Sequence, residues 1–208
     1  MNTKLTHNSS LRRQAARGFT LIEMIGVLAV IAILAALLIP KVFSAINQAR
    51  VNGVTVSLET VKTALVDHYG RYGNFDQQFG TNATPIAFIN GVSTSYDTNV
   101  LMVEGLLDKP FLAAIATTNA TIELCQGGKE NNGTPFQLGG PGIGSTAGAT
   151  YVLQAKLTGV SVADAKDLND RIDGTVLGAP IGSVDPVGRV EYQMISGSGT
   201  VFVYLTHR

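Results

Sequence analysis

Residues 19–39 read FTLIEMIGVLAVIAILAALLI, a run of 21 residues with one charge, Glu23. About 20 apolar residues at a rise of about 1.5 Å each cross a bilayer core. A helix on the surface of a soluble protein keeps a polar face, and this run shows none after Glu23. It therefore predicts a membrane-spanning helix, bounded at once by Pro40 and Lys41.

The flanks give the orientation. Residues 1–18 carry Lys4, Arg12, Arg13 and Arg17 and no acid, a charge of +4. The positive-inside bias places this leader in the cytoplasm and the body of the chain outside the membrane. An ordinary secretory signal has a shorter apolar run with a small-residue cut site after it. Here the small residues Ala15, Ala16 and Gly18 come before the run, and Ala35-Ala36 lies within it. Beyond the leader the chain carries −4, so no basic face for specific nucleic-acid binding is predicted. Of the 208 residues 45% are hydrophobic and 14% charged, which suits a packed domain rather than a disordered one. Cys125 is the single cysteine, so no internal disulfide forms, and its neighbours suit a half-buried small apolar residue.

Glu23 needs a partner. An acid inside a spanning segment costs about 2.5–3.5 kcal/mol on insertion scales. No Lys or Arg lies within helical reach inside the membrane. A cut just before Phe19 would create an α-amino group close by. The alternative is that Glu23, near the helix start, reaches back to the cytoplasmic headgroups.

The stretch Arg17-Gly18-Phe19-Thr20-Leu21-Ile22-Glu23 resembles the processing site of type IV pilins and type II secretion pseudopilins. The resemblance extends from Arg12 to Ile46. It includes Glu23 and Pro40, fifth and twenty-second after the cut, and the ILAA segment Ile33–Ala36. Ala32, where many members have glycine, and Gly26 depart from the pattern. The resemblance implies that a prepilin peptidase cuts between Gly18 and Phe19 and that Phe19 is then N-methylated. It implies that Glu23 and Pro40 serve assembly. Its partners are copies of the chain in a helical filament, the peptidase, the inner-membrane assembly machinery, and the membrane before assembly. The precursor is expected in the inner membrane, and the product in an extracellular filament or a periplasmic pseudopilus.

Physical chemistry suits this. Burying 1,000 Å2 of apolar helix surface at about 25 cal/mol per Å2 is worth roughly 25 kcal/mol before ordering costs. Apolar helices slide on one another, and a charge pair supplies register. Glu23 with the α-amino group of a neighbour's Phe19 is the expected pair.

The apolar pattern continues past Pro40 at Val42, Ala45, Ile46, Ala49, Val54, Leu58, Val61 and Leu65. A helix over Phe19–Tyr69 follows, apolar over 19–40 and amphipathic over 41–69, stopped by glycine in Tyr69-Gly70-Arg71-Tyr72-Gly73. A head occupies 70–208. It opens with a loop over 74–98 and a short helix over Asn99–Leu107. Strands are expected at 121–125, 150–157, 189–196 and 200–206, the last two joined by Ser196-Gly197-Ser198-Gly199. The fold class is α+β and pilin-like: a long N-terminal helix whose amphipathic half packs on an antiparallel sheet. The glycine-rich stretch 125–150 holds eight glycines and lacks the phosphate-loop spacings, so it reads as a flexible loop or hairpin tip.

Ser161–Gly174 reads as a helix opened by a capping box, Ser161 with Asp164, with Ala165, Leu168 and Ile172 on one face. Asp164, Asp167, Asp170 and Asp173 then recur three apart. Calcium is the cofactor this stripe could hold, but it wants six to eight converging oxygens (about that many), so a solvated face and no cofactor is the preferred reading. Asp67, His68 and Cys125 are the raw materials for a membrane-anchored cysteine hydrolase, a remote alternative, since Asp67 and His68 point different ways on a helix. A tip adhesin or DNA-uptake subunit is a third reading. The preferred function is a pilus subunit, not an enzyme, with a secretion pseudopilin as the alternative.

Overall fold

The computed structural model describes residues 18–78, 84–128, 134–139, 144–177, 184–195 and 197–208. The leader charges Lys4, Arg12, Arg13 and Arg17, parts of the glycine-rich stretch, and Ser196 lie outside these. The chain divides into two compact units, Met1–Ser44 and Ala45–Arg208.

In the first unit the helix α1 starts; it spans Leu21–Tyr72 and runs through Pro40. Between Leu21 and Phe43 the large apolar side chains are all exposed. This segment is long and apolar enough to cross a membrane.

In the second unit α1 is amphipathic. It buries Val51, Val54, Leu58, Val61, Ala64, Leu65 and His68, three- and four-residue steps that keep one face inward. Burial begins at Val51, so the predicted stripe members Ala45, Ile46 and Ala49 stay exposed. Gly70 remains helical, and the stop falls three residues later than expected. Gly73 takes φ +72° and donates its N–H to Tyr69 O at 2.8 Å, a left-handed ending that glycine adopts without a Cβ penalty.

The strands are β1 (Gln77–Gln78), β2 (Thr84–Pro85), β3 (Val92–Ser93), β4 (Asn119–Gln126), β5 (Tyr151–Ser161), β6 (Val184–Asp185), β7 (Val190–Ile195) and β8 (Ser198–His207). The first two pair with each other. The other six form one antiparallel sheet in the order β3-β4-β5-β8-β7-β6. The four longer strands are those expected, with β5 and β8 running further than predicted. The edge strands β3 and β6 were not, because two residues carry no readable alternation. The helix expected at Asn99–Leu107 is corrected to one π-helical turn, Asp97–Leu101, ended by turns and by Gly105 at φ +71°. Asp97 is buried there, accepting Phe111 N–H at 2.7 Å. Helix α2 (Val162–Ile172) opens as predicted. Ser161 Oγ accepts Asp164 N–H at 3.2 Å and donates to Asp164 Oδ2 at 2.9 Å, and Ala165 and Leu168 are buried.

Period-two alternation divides the sheet into faces. One row runs Ile122–Ala155–Val203–Val190 across four strands, and Leu124, Leu153, Leu157, Val201, Tyr192 and Leu205 share its cluster with the buried face of α1. The other face carries Glu123, Cys125, Gln154 and Phe202. Residues 134–139 and 144–150 of the glycine-rich stretch cover it rather than projecting as a tip. Phe136 is fully buried with Val152 and Phe202. Thr146 Oγ1 accepts Phe136 N–H at 3.0 Å and donates to Gly128 O at 2.5 Å. Gly128 has φ +69°, and a Cβ there would meet Thr146 O at 1.9 Å, so this closure requires glycine.

Candidate functional site

Gly18, Phe19 and Thr20 precede α1 without regular structure, and the Phe19 side chain is 85% exposed. The helix starts where it does because Thr20 and Glu23 cap each other. Glu23 N–H donates to Thr20 Oγ1 at 3.3 Å, while Thr20 N–H and Thr20 Oγ1–H donate to Glu23 Oε2 at 2.8 and 2.7 Å. The helical ladder opens with Met24 N–H to Thr20 O at 3.2 Å. This is a T-x-x-E capping box, and it satisfies two N–H groups that a helix start leaves orphaned.

The box gives Glu23 a partner that sequence reasoning missed. The partner is not a cation but a neutral residue three positions back, Thr20. The available signal was the Thr-x-x-Glu spacing directly before an apolar run, the same kind of signal that located Ser161 and Asp164. Two accepted hydrogen bonds lower the cost of carrying a carboxylate at the edge of an apolar segment.

Pro40 sits inside α1, where it has no N–H to give the carbonyl of Ala36.

In the second unit the polar residues singled out by sequence take separate partners. His68 and Glu104 are buried, with Nδ1 and Oε2 2.6 Å apart; His68 Nε2 lies 3.2 Å from Tyr96 Oη, which donates to Phe75 O at 3.1 Å. Burial pushes the Tyr96 hydroxyl far above the usual phenol range, with the charges of Glu104 and Asp76 adding to it. The group fastens the last turns of α1 to the chain around the π-helical turn. Nearby, Arg208 donates to Gly73 O and lies over the Tyr69 ring at 5.4 Å, binding the end of β8 to the same helix end. Asp67 instead pairs with Arg71 at 2.6 Å on the surface. Cys125 is buried opposite Val152, on the face of β4 turned away from Leu124 and the α1 cluster. The three residues of the hydrolase alternative are thus not brought together.

The three aspartates of α2 and Asp173, which caps its end, also have separate occupations. Asp164 serves the cap, Asp167 pairs with Arg171 at 3.2 Å, and Asp170 pairs with Lys166 at 2.6 Å. Asp173 accepts Arg189 N–H and Val190 N–H at 2.8 Å each. Burial raises the Asp173 carboxyl above its usual range, and those two bonds pull the other way. Among the described residues, no three His, Cys, Asp or Glu side chains converge to hold a metal ion.

Residues 13–39 match the family model described as the prokaryotic N-terminal methylation motif, the signal carried by type IV pilins and pseudopilins. No curated protein and no solved structure matches the chain.

Proposed function

We propose that this chain is a structural subunit, a pilin, of a type IV pilus-like extracellular filament. The observation that carries the reading is the methylation motif at residues 13–39, set on a helix whose apolar half has the length of a membrane span. The precursor is held in the inner membrane by 19–40 with the leader 1–18 in the cytoplasm. The prepilin peptidase adds water across the Gly18–Phe19 amide, leaving a carboxylate on Gly18 and an amine on Phe19; that amine then takes a methyl group from an activated methyl donor, displacing the donor's leaving group and releasing a proton.

Assembly follows from what the cut creates. The apolar half of α1 exchanges lipid contacts for the helices of other copies, which is worth tens of kcal/mol before ordering costs. The new ammonium supplies the cation that Glu23 lacks within its own span. Pairing it with a neighbour's Glu23 gives the sliding helices a register. Pro40 gives α1 a place to bend when copies pack, because one rung of its ladder is absent there. The head stays outside.

Mass analysis of the N-terminus of protein sheared from the cell surface tests the processing: a start at methylated Phe19 is expected, and an intact Met1 overturns it. Electron microscopy of the sheared material decides the machine. Long surface filaments are expected of a pilin. Processed protein that stays in the periplasm without surface filaments would instead make the chain a type II secretion pseudopilin.

A further inference from the structure

The cut proposed above must reach one amide bond, and the structure shows what holds that bond clear of the helix. α1 begins at Leu21, so the Gly18 and Phe19 carbonyls stand outside its ladder, which opens at Thr20 O. Nothing in the apolar run itself stops the helix there. An N–H or C=O left unbonded at the edge of hydrocarbon is costly, so the membrane favours winding further residues into the helix. Continued backward, the ladder would pair Glu23 N–H with Phe19 O and Ile22 N–H with Gly18 O. The Gly18 carbonyl, the atom water attacks, would then be bonded and wrapped by a helical turn.

The Thr20–Glu23 box removes that incentive. Thr20 Oγ1 takes the Glu23 N–H that would otherwise seek Phe19 O, and Glu23 Oε2 takes the Thr20 N–H. We infer that Thr20 is a positioning residue for processing: its cap with Glu23 ends α1 just past the Gly18–Phe19 bond and presents that bond as an accessible, non-helical substrate. Glu23 thereby has two successive duties, holding the helix start in the precursor and accepting a neighbour's ammonium in the filament. Thr20 has only the first, which makes it the cleaner place to test.

This inference rests on the Gly18–Phe19 cut, and the experiment separates the two. Full-length precursors in membrane vesicles are incubated with the prepilin peptidase, and cleavage is followed by mass and normalised to the alkali-resistant, inserted fraction. Thr20→Val keeps the shape of the side chain and loses the cap; its cleavage should slow about five-fold, the usual worth of an N-cap. Thr20→Ser and Thr20→Asn, good caps of different shape, should stay within about two-fold of the parent rate. Cleavage of Thr20→Val at the parent rate overturns the inference. So does Thr20→Asn cut as slowly as Thr20→Val, because the peptidase would then be reading shape. A parent chain left uncut overturns the processing reading itself, and this inference with it.

Discussion

The two halves of α1 are built on opposite rules. From Leu21 to Phe43 the large apolar side chains point out on every side and none is covered within its own unit. From Val51 to His68 one face is buried against the sheet, while Val56, Glu59 and Val66 remain on the outside. Hydrophobicity alone would rank the first half as the better core. The difference teaches that an all-round apolar helix has no preferred neighbour within its chain. Its partner must be an apolar surrounding, which fits a membrane-anchored precursor. The second half is committed to one partner, because only one of its faces gains by burial.

The largest effect that can break this comparison lies at Glu23, the one charge of residues 19–39. Glu23→Leu should insert at least as well as the parent, since it removes an acid costing about 2.5–3.5 kcal/mol in a spanning segment. Filament yield should nevertheless fall to background. Normal yield, by shearing and electron microscopy, would show that register comes from packing alone.

A smaller effect is expected where the second half is fastened. Glu104→Ala leaves the buried His68 without its carboxylate and should destabilise the head by about 3 kcal/mol, seen as a lowered urea midpoint at unchanged slope. Anchor insertion should not change.

Matched truncations sharpen the contrast further. Leu65→Ala, at a fully buried position, should cost about 2–3 kcal/mol of head stability. Leu34→Ala, exposed in the first half, should leave the same unfolding curve where it was. Equal losses from the two would mean that the halves unfold as one body.

The smallest effect is a pH dependence confined to the head. The half-buried Asp173 carboxyl titrates higher folded than unfolded, so its contribution is fully present below its ordinary value of 3.8 and drains away as pH rises towards the folded value. Asp173→Asn should flatten that fall in a pH series of unfolding midpoints. An unchanged slope would assign the dependence to other groups.

Legibility from sequence followed length and period. The long helix, the four longer strands and the Ser161 cap were all readable, because each repeats a pattern or places a capping residue before one. The π-helical turn and the strands β3 and β6 were not, being too short to carry a period. The glycine-rich stretch looked like a loose tip because its composition shows conformational freedom but not destination. Phe136 and Leu138, apolar among glycines, hint that part of it folds down onto the sheet. At the candidate site, Gly18, Phe19, Glu23 and Pro40 stand out in sequence by spacing. The bond between Thr20 and Glu23 is equally local, carried by the Thr-x-x-Glu spacing before the apolar run.

By itself the sequence determined a long apolar helix and the methylation motif at its start, both of which rest on neighbours a few residues apart. Only the tertiary structure decided what becomes of the polar groups. It sent His68 to Glu104 across 36 residues, turned Cys125 to the far face of the sheet, and set Asp173 on the backbone N–H groups of Arg189 and Val190. Such pairings depend on which strands lie side by side, and strand order is set by the packing of the whole sheet on one face of α1, which no local pattern encodes.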